Sequence, residues 1–306
     1  MNTLRYLIVS SVSILLVTLA SCGGGGEEQQ SATTPANEES HENGHGESSI
    51  LKVGDKLFNV PSPIETAMLL EETGGNFDES VLNPQVDATL YSTKMLQAQN
   101  LGSYGSDLGY CLIYGQSQKA FSLLATCKKL GNDLGISPSL YSSMMGRFET
   151  NMENKDSLLL MVSELNRLSD EYLKENEAED LSAMILYGGW IESMYFMTKM
   201  AASGENPDLN QRIGEQKKTI ESLIGMIEHH CSDEECSAIV DSLKELLSIY
   251  GNVQNTYTWV EPETNAEEKL TVIKSKSSVE ISAETMAQIS EQISSMRNSI
   301  IGSSES

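Results

Sequence analysis

This sequence predicts an all-α fold, an irregular antiparallel helical bundle or short αα array with a small β-hairpin near the C-terminus. Three observations carry that reading. Apolar residues recur at i, i+3, i+4 and i+7 in one segment after another, as in Leu158, Met161, Val162, Leu165, Leu168 and Tyr172. Helix-start pairs at Ser62-Pro63, Ser137-Pro138 and Asn206-Pro207, and glycine stops at Gly74-Gly75 and Gly251, bracket those segments. Runs of β-branched and aromatic residues are confined to residues 257–260 and 270–273. Short connections between successive helices favour antiparallel neighbours.

Taken from the start, residues 1–21 read as a signal peptide and are set aside from the fold. Arg5 supplies the positive start. The apolar run over residues 7–20 is broken only by serines and a threonine, and it is shorter than the roughly 20 residues a spanning helix needs. Leu19-Ala20-Ser21-Cys22 resembles the bacterial lipobox. That resemblance implies that Cys22 becomes the acylated first residue, carrying palmitate-type chains that hold the chain to a membrane. The run of four glycines at residues 23–26, followed by Glu27-Glu28, resembles the export signal of Bacteroidetes-type surface lipoproteins. It implies an outer-membrane address, on the cell surface or on the periplasmic face.

Residues 22–60 read as lipid anchor and tether. Gly, Glu, Gln, Ser, Thr, Pro, Asn and His dominate, and too little apolar surface is present to offset the entropy of ordering. His41 and His45 belong to this polar stretch and are read as tether, not as metal ligands.

The helical body is placed at residues 61–251. Ser62-Pro63-Ile64-Glu65 is a capping box that opens a helix ending near Thr73. Two further helices are expected at residues 85–101 and 103–115, and a fourth at 116–134 with Ala120, Leu123, Leu124, Cys127 and Leu130 on one face. Ser137-Pro138 opens the next, striped by Leu140, Tyr141, Met144, Met145 and Phe148. Residues 181–201 are apolar on nearly all sides. Interruption by Glu192 and Lys199 makes this a central buried helix and not a membrane span. Asn206-Pro207 begins one helix running through Ile227, and Ser232 is the expected cap of another ending at Gly251. Residues 252–306 then supply two short strands and a helix capped by Ser282 that docks on the body through Met286, Ile289, Ile293, Met296 and Ile300. No repeat near 34 residues can be traced, so a tetratricopeptide array is not supported.

Tyr104-Gly-Ser-Asp-Leu-Gly-Tyr110, Arg147-Phe-Glu-Thr-Asn151 with Asn154-Lys-Asp-Ser-Leu-Leu159, and Gly188-Gly-Trp-Ile-Glu192 are similar to segments of a helical lipoprotein family of Bacteroidetes-type bacteria. The resemblance covers roughly residues 60–305. It implies the lipidated helical architecture and carries no activity or catalytic residue with it.

The function classes are narrowed by charge. Lys and Arg number 20 against 44 Asp and Glu, a net charge of −24, which disfavours nucleic acid and anionic lipid as partners. There is no Ser/His/Asp arrangement and no Gly-rich phosphate loop, so no catalytic residue and no cofactor is assigned, and a non-catalytic role is favoured over an enzyme. Asp107, Tyr110 and Tyr114 on one helix, with Trp190 and Glu192 (and nearby Tyr195) on the central one, are the candidate ligand-binding residues. Carboxylates beside aromatic rings suit a small polar or cationic ligand, and the alternative is a hydrogen-bonded buried network joining helices. Glu228, His229, His230, Cys231, Asp233 and Cys236 have metal-ligand chemistry, but adjacent histidines point about 100° apart on a helix, so no metal is assigned. Cys111, Cys127, Cys231 and Cys236 are either disulfides, as 231–236 or 111–127, or buried thiols. Gly102, Gly105 and Gly109, and Gly188-Gly189, mark helices expected to approach closely, with the Gly105/Gly109 side against Gly188-Gly189.

Two functional expectations follow. The first is a lipid-anchored extracytoplasmic lipoprotein that serves as a protein-interaction or structural component. The second is a ligand-binding lipoprotein of an uptake system, with a pocket near Asp107 and Glu192.

Overall fold

The computed structural model describes residues 49–53, 56–60, 63–84, 88–202, 206–265 and 270–302. Residues 1–48, where the sequence leads one to expect a signal peptide, the Cys22 anchor and most of a tether, lie outside the described residues. At 49–60, where tether was expected, two strands pair antiparallel: β1 (Ser49–Val53) and β2 (Lys56–Val60). The physical reason is local. Ile50, Leu51, Val53, Leu57, Phe58 and Val60 give this stretch the strand propensity that the preceding polar residues lack.

Ten helices follow among the described residues. They are α1 (Pro63–Glu72), α2 (Lys94–Ile113), α3 (Ser117–Asp133), α4 (Pro138–Thr150) and α5 (Lys155–Glu175). Then come α6 (Glu179–Ala202), α7 (Pro207–Gly214), α8 (Lys217–His230), α9 (Glu234–Ile249) and, last in the chain, α10 (Ala283–Ile301). The all-α class therefore holds, and the start signals at Pro138, Pro207 and Ser282 open the helices they were read to open.

α2 and α6 form the centre, with sixteen and fifteen buried residues respectively. Gln99 lies by Gly188, Ser106 by Gly189 and Tyr110 by Phe196, so numbering rises together along both helices and they run parallel. Three intervening helices make that direction reachable. Sequence neighbours α8 and α9 run antiparallel, with Lys244 bonded back to Glu228 at 2.8 Å. α1, α3 and α5 pack on α2, while α8 and α10 pack on α6.

Three boundaries differ from those read in the sequence. The helices expected at 85–101 and 103–115 are one helix, α2. It starts only after Thr93, whose hydroxyl accepts from the Leu96 amide. Gly102, taken as a break, sits in mid-helix because another backbone passes against it. The single helix expected from Asn206 through Ile227 is divided between α7 and α8, around Glu215 and Gln216. The cap of α9 is Asp233, which accepts from the Cys236 amide at 2.8 Å, and not Ser232.

The two expected strands become four. β3 (Gln254–Thr258) pairs with β6 (Lys276–Glu280), and β4 (Glu263–Asn265) pairs with β5 (Leu270–Val272), all antiparallel. Together they make a long two-stranded ribbon between α9 and α10.

Candidate functional site

The structure brings two of the sequence-selected residues together and adds one that sequence reasoning missed. Asp107 on α2 and Glu192 on α6 are both fully buried, and beside them lies Arg297 from α10, 5% exposed. Arg297 Nε donates to both Glu192 oxygens, at 2.9 and 2.8 Å. Its Nη2 donates to Glu192 Oε1 at 2.7 Å and to the Val81 carbonyl at 3.1 Å. The guanidinium carbon also sits 4.0 Å from the centre of the Tyr195 ring. Asp107 accepts from the Asn83 amide at 3.1 and 3.3 Å.

One cation thus faces two carboxylates. Burial raises Glu192 above the ordinary carboxylate range, offset in part by the hydrogen bonds and charge of Arg297. Burial and then the Glu192 charge push Asp107 well above that range, against weaker opposition from Arg297 and the Asn83 amide. Burial works against the Arg297 charge, but the bonds and charge of Glu192 outweigh it and keep the guanidinium protonated. Arg297 had a readable signal. It stands within the apolar stripe of α10, four residues after Ile293 and beside Met296, where a charge has no reason to be unless a partner waits inside.

The other selected residues are placed elsewhere in the interior. Tyr110 accepts from the Asp78 amide at 3.0 Å and stacks between Phe77 and Phe196, with centroids at 5.5 and 4.8 Å. Tyr114 packs against Tyr110 at 4.9 Å, and its buried hydroxyl, pushed up to about 12 by burial, has no hydrogen-bond partner among the described residues. Trp190 donates to Gln216 Oε1 at 3.1 Å. An open cleft of about 710 Å³ lies instead where the 79–84 loop meets the start of α3, lined by Glu79, Asn83, Pro84, Ser117 and Lys119 among others. None of the five selected residues lines it. Asp107, Glu192 and Arg297 are all buried and none of them lines that cleft. What the cluster does is join α2, α6, α10 and the loop at Val81 and Asn83.

Close helix contact is real and on α6 falls at Gly188 and Gly189 as expected, but on α2 it falls at Gly102 and not at Gly105 or Gly109. A Cβ on Gly102 would lie 1.9 Å from the Ile185 carbonyl oxygen, and one on Gly188 would lie 1.9 Å from that of Gln99. A Cβ on Gly105 would meet nothing within 4 Å outside its own helix backbone, and one on Gly109 would lie 3.5 Å from Ile64 of α1. The side expected to meet α6 was therefore wrong by one helical turn, because the contact lies near the start of the glycine series. Ser103 and Ser106 donate to the carbonyls of Gly188 and Gly189 at 3.2 and 2.9 Å, using the same proximity.

Of the cysteines, 231 and 236 form a disulfide between the end of α8 and the start of α9, while Cys111 and Cys127 are buried thiols. Burial pushes both thiols up to about 12, so they stay protonated and unreactive at neutral pH. Cys231, Asp233 and Cys236 present ligand atoms within 4.8 Å of one another. With both sulfurs joined and Asp233 spent as a helix cap, no thiolate is left there for an ion.

Beyond Val279, which packs on the core, the ribbon carries a group of large apolar residues that are exposed. Tyr257, Trp259 and Ile273 are 65, 66 and 72% exposed, and Val260, Leu270 and Val272 are exposed as well. Its geometry is nonetheless fixed. At the base, Val279 rests where a Cβ on Gly214 would come within 2.1 Å of it, and its amide donates to Gln211 Oε1 at 2.8 Å. Midway, Ser275 Oγ accepts from the Val260 amide at 2.9 Å and donates to the Val260 carbonyl at 3.1 Å. Towards the end, Lys274 pairs with Glu263 at 2.6 Å. Among the described residues no helix is long and apolar enough to cross a membrane. Comparison with protein-family models, curated proteins and solved structures gives no match.

Proposed function

We propose that this chain is a lipid-anchored extracytoplasmic protein, acylated at Cys22 and displayed at the outer membrane, that acts as a non-catalytic interaction component. The ribbon is the surface that meets its protein partner. The single observation that carries this reading is the group of six exposed large apolar residues held on a braced two-stranded ribbon. Apolar groups that cost solubility and stabilise no core are characteristic of a contact surface. Aromatic residues such as Tyr257 and Trp259 are also the types enriched in such contacts. The lipobox-like Leu19-Ala20-Ser21-Cys22 supports the anchor.

The test is photo-crosslinking in cells, with a photoreactive residue at position 259 or 273 and a control at Leu160, an equally exposed apolar residue on α5. A discrete protein adduct from 259 and 273, absent from 160, is the expected result. Equal labelling from all three positions, or none from the ribbon, contradicts the reading.

A further inference from the structure

We infer that the ribbon binds its partner by strand addition: an extended, apolar segment flanked by Lys or Arg pairs along the free edge of β3. This rests on the interaction reading above and specifies its partner.

The edge follows from register. In an antiparallel pair, residues alternate between those that bond across to the partner strand and those whose N–H and C=O both point away. Val279 donates to Gln211 and not across the ladder, so the Asn255–Val279 pair is of the second kind. Tyr257, opposite Ser277, has the same parity. The backbone N–H and C=O of Asn255 and Tyr257 therefore face outward from β3, and among the described residues β6 is the only strand beside β3. The corresponding edge of β6 is closed at its base by the Gln211 side chain. Of the two edges, only that of β3 offers a template unobstructed by any other described strand. Tyr257 lies on this edge and Trp259 just beyond it, ready to cover an incoming apolar strand.

Charge decides which occupant. Residues 254–280 carry five glutamates against three lysines, and one of those lysines, Lys274, is paired with Glu263. Two copies joined edge to edge would bring these acidic ribbons together, within chains that each carry −24. An anionic lipid surface meets the same repulsion. A cationic extended segment gains attraction at the glutamate-rich 261–268 side of the apolar patch while its backbone completes the ladder.

The probes are two synthetic peptides, one a short valine–threonine run flanked by lysines and one the same run flanked by glutamates, added to the mature chain. Hydrogen exchange on the wild-type protein should show the Asn255 and Tyr257 amides gaining protection with the lysine peptide, together with a change in Trp259 emission. The lysine peptide should bind at least about tenfold tighter than the glutamate peptide. Tyr257→Pro deletes one outward N–H without touching the β3–β6 ladder, a position where proline is tolerated. It should weaken binding by about tenfold or more, whereas Tyr257→Phe should stay close to wild type. Equal affinity for both peptides, or protection confined to other amides, overturns the inference. So does protection of the same amides that rises with protein concentration alone, or a Trp259 shift on zwitterionic vesicles without peptide. A protein crosslink from position 259 that persists while both peptides fail to bind would refute strand addition and leave the interaction reading standing.

Discussion

Substituting alanine at Gly102 and at Gly105, three residues apart on the same helix, should move stability in opposite directions. At Gly102 the new methyl would sit 1.9 Å from the Ile185 carbonyl oxygen and 2.7 Å from the Gly189 amide nitrogen. Both are backbone atoms and neither can rotate away. Normal contact lies near 3.5 Å, so α2 and α6 would have to separate by about 1.5 Å. That separation would loosen the most heavily buried seam in the molecule and stretch the Ser103 and Ser106 bonds to α6. Overpacking costs of roughly 1–3 kcal/mol apply where side chains can yield, so with rigid backbone on both sides a loss of about 3 kcal/mol or more is expected. At Gly105 the new methyl would meet nothing within 4 Å outside its own helix backbone. There the gain in helix propensity, about 0.5–1 kcal/mol, should appear as net stabilisation. Urea titration followed by helical circular dichroism, with the buried Trp190 as a second probe, measures both. If Gly102→Ala falls within about 0.5 kcal/mol of wild type, or if Gly105→Ala is equally destabilising, the placement of the α2–α6 seam is wrong.

Three further outcomes follow from the buried charges and the disulfide. Arg297→Met should cost about 3–5 kcal/mol by leaving Glu192 buried without its cation, and adding Glu192→Leu should recover most of that loss; no recovery in the double variant would show that Arg297 acts through packing alone. A carboxyl held above its unfolded value contributes stability that is fully present below the ordinary carboxylate pKa, near 3.9, and lost as pH rises through the raised value. Urea midpoints taken across pH should therefore show wild type falling relative to Asp107→Asn from about pH 4 upward, and parallel curves would mean that Asp107 is not held protonated. Replacing Cys231 and Cys236 by serine should cost at most about 2 kcal/mol, since the loop they close is short; a loss well above that would implicate the α8–α9 junction in more than chain entropy.

Much of the helical order was readable because its signals are local. Pro138, Pro207, Ser282 and the long apolar stripe of α5 each act within their own segment, and α6 declared its burial by being apolar all round. What could not be read depends on contacts between distant segments. Gly102 looks like a break until a second backbone is laid against it. The parallel direction of α2 and α6 depends on how three other helices fold back, which no local pattern encodes. The candidate site was half legible. Asp107 and Glu192 were selected as unusual carboxylates in apolar helices and do lie together, but their cation comes from residue 297, more than a hundred positions beyond Glu192. The ribbon was seen as two strands because residues 257–260 and 270–273 carry the β-branched and aromatic types. Its pairing at the base uses Ser277, Ser278 and other polar residues whose strand character is conferred by the partner strand.

The lipid anchor is the claim on which address and tether depend, and it reduces to one sulfur atom. Cells supplied with a palmitate analogue should label the wild-type chain and carry it in the membrane fraction. Cys22→Ser should take no label and leave the membrane fraction, while its circular dichroism keeps the helical signature of the body. Label on the Cys22→Ser chain, or an unlabelled wild type, would contradict the account.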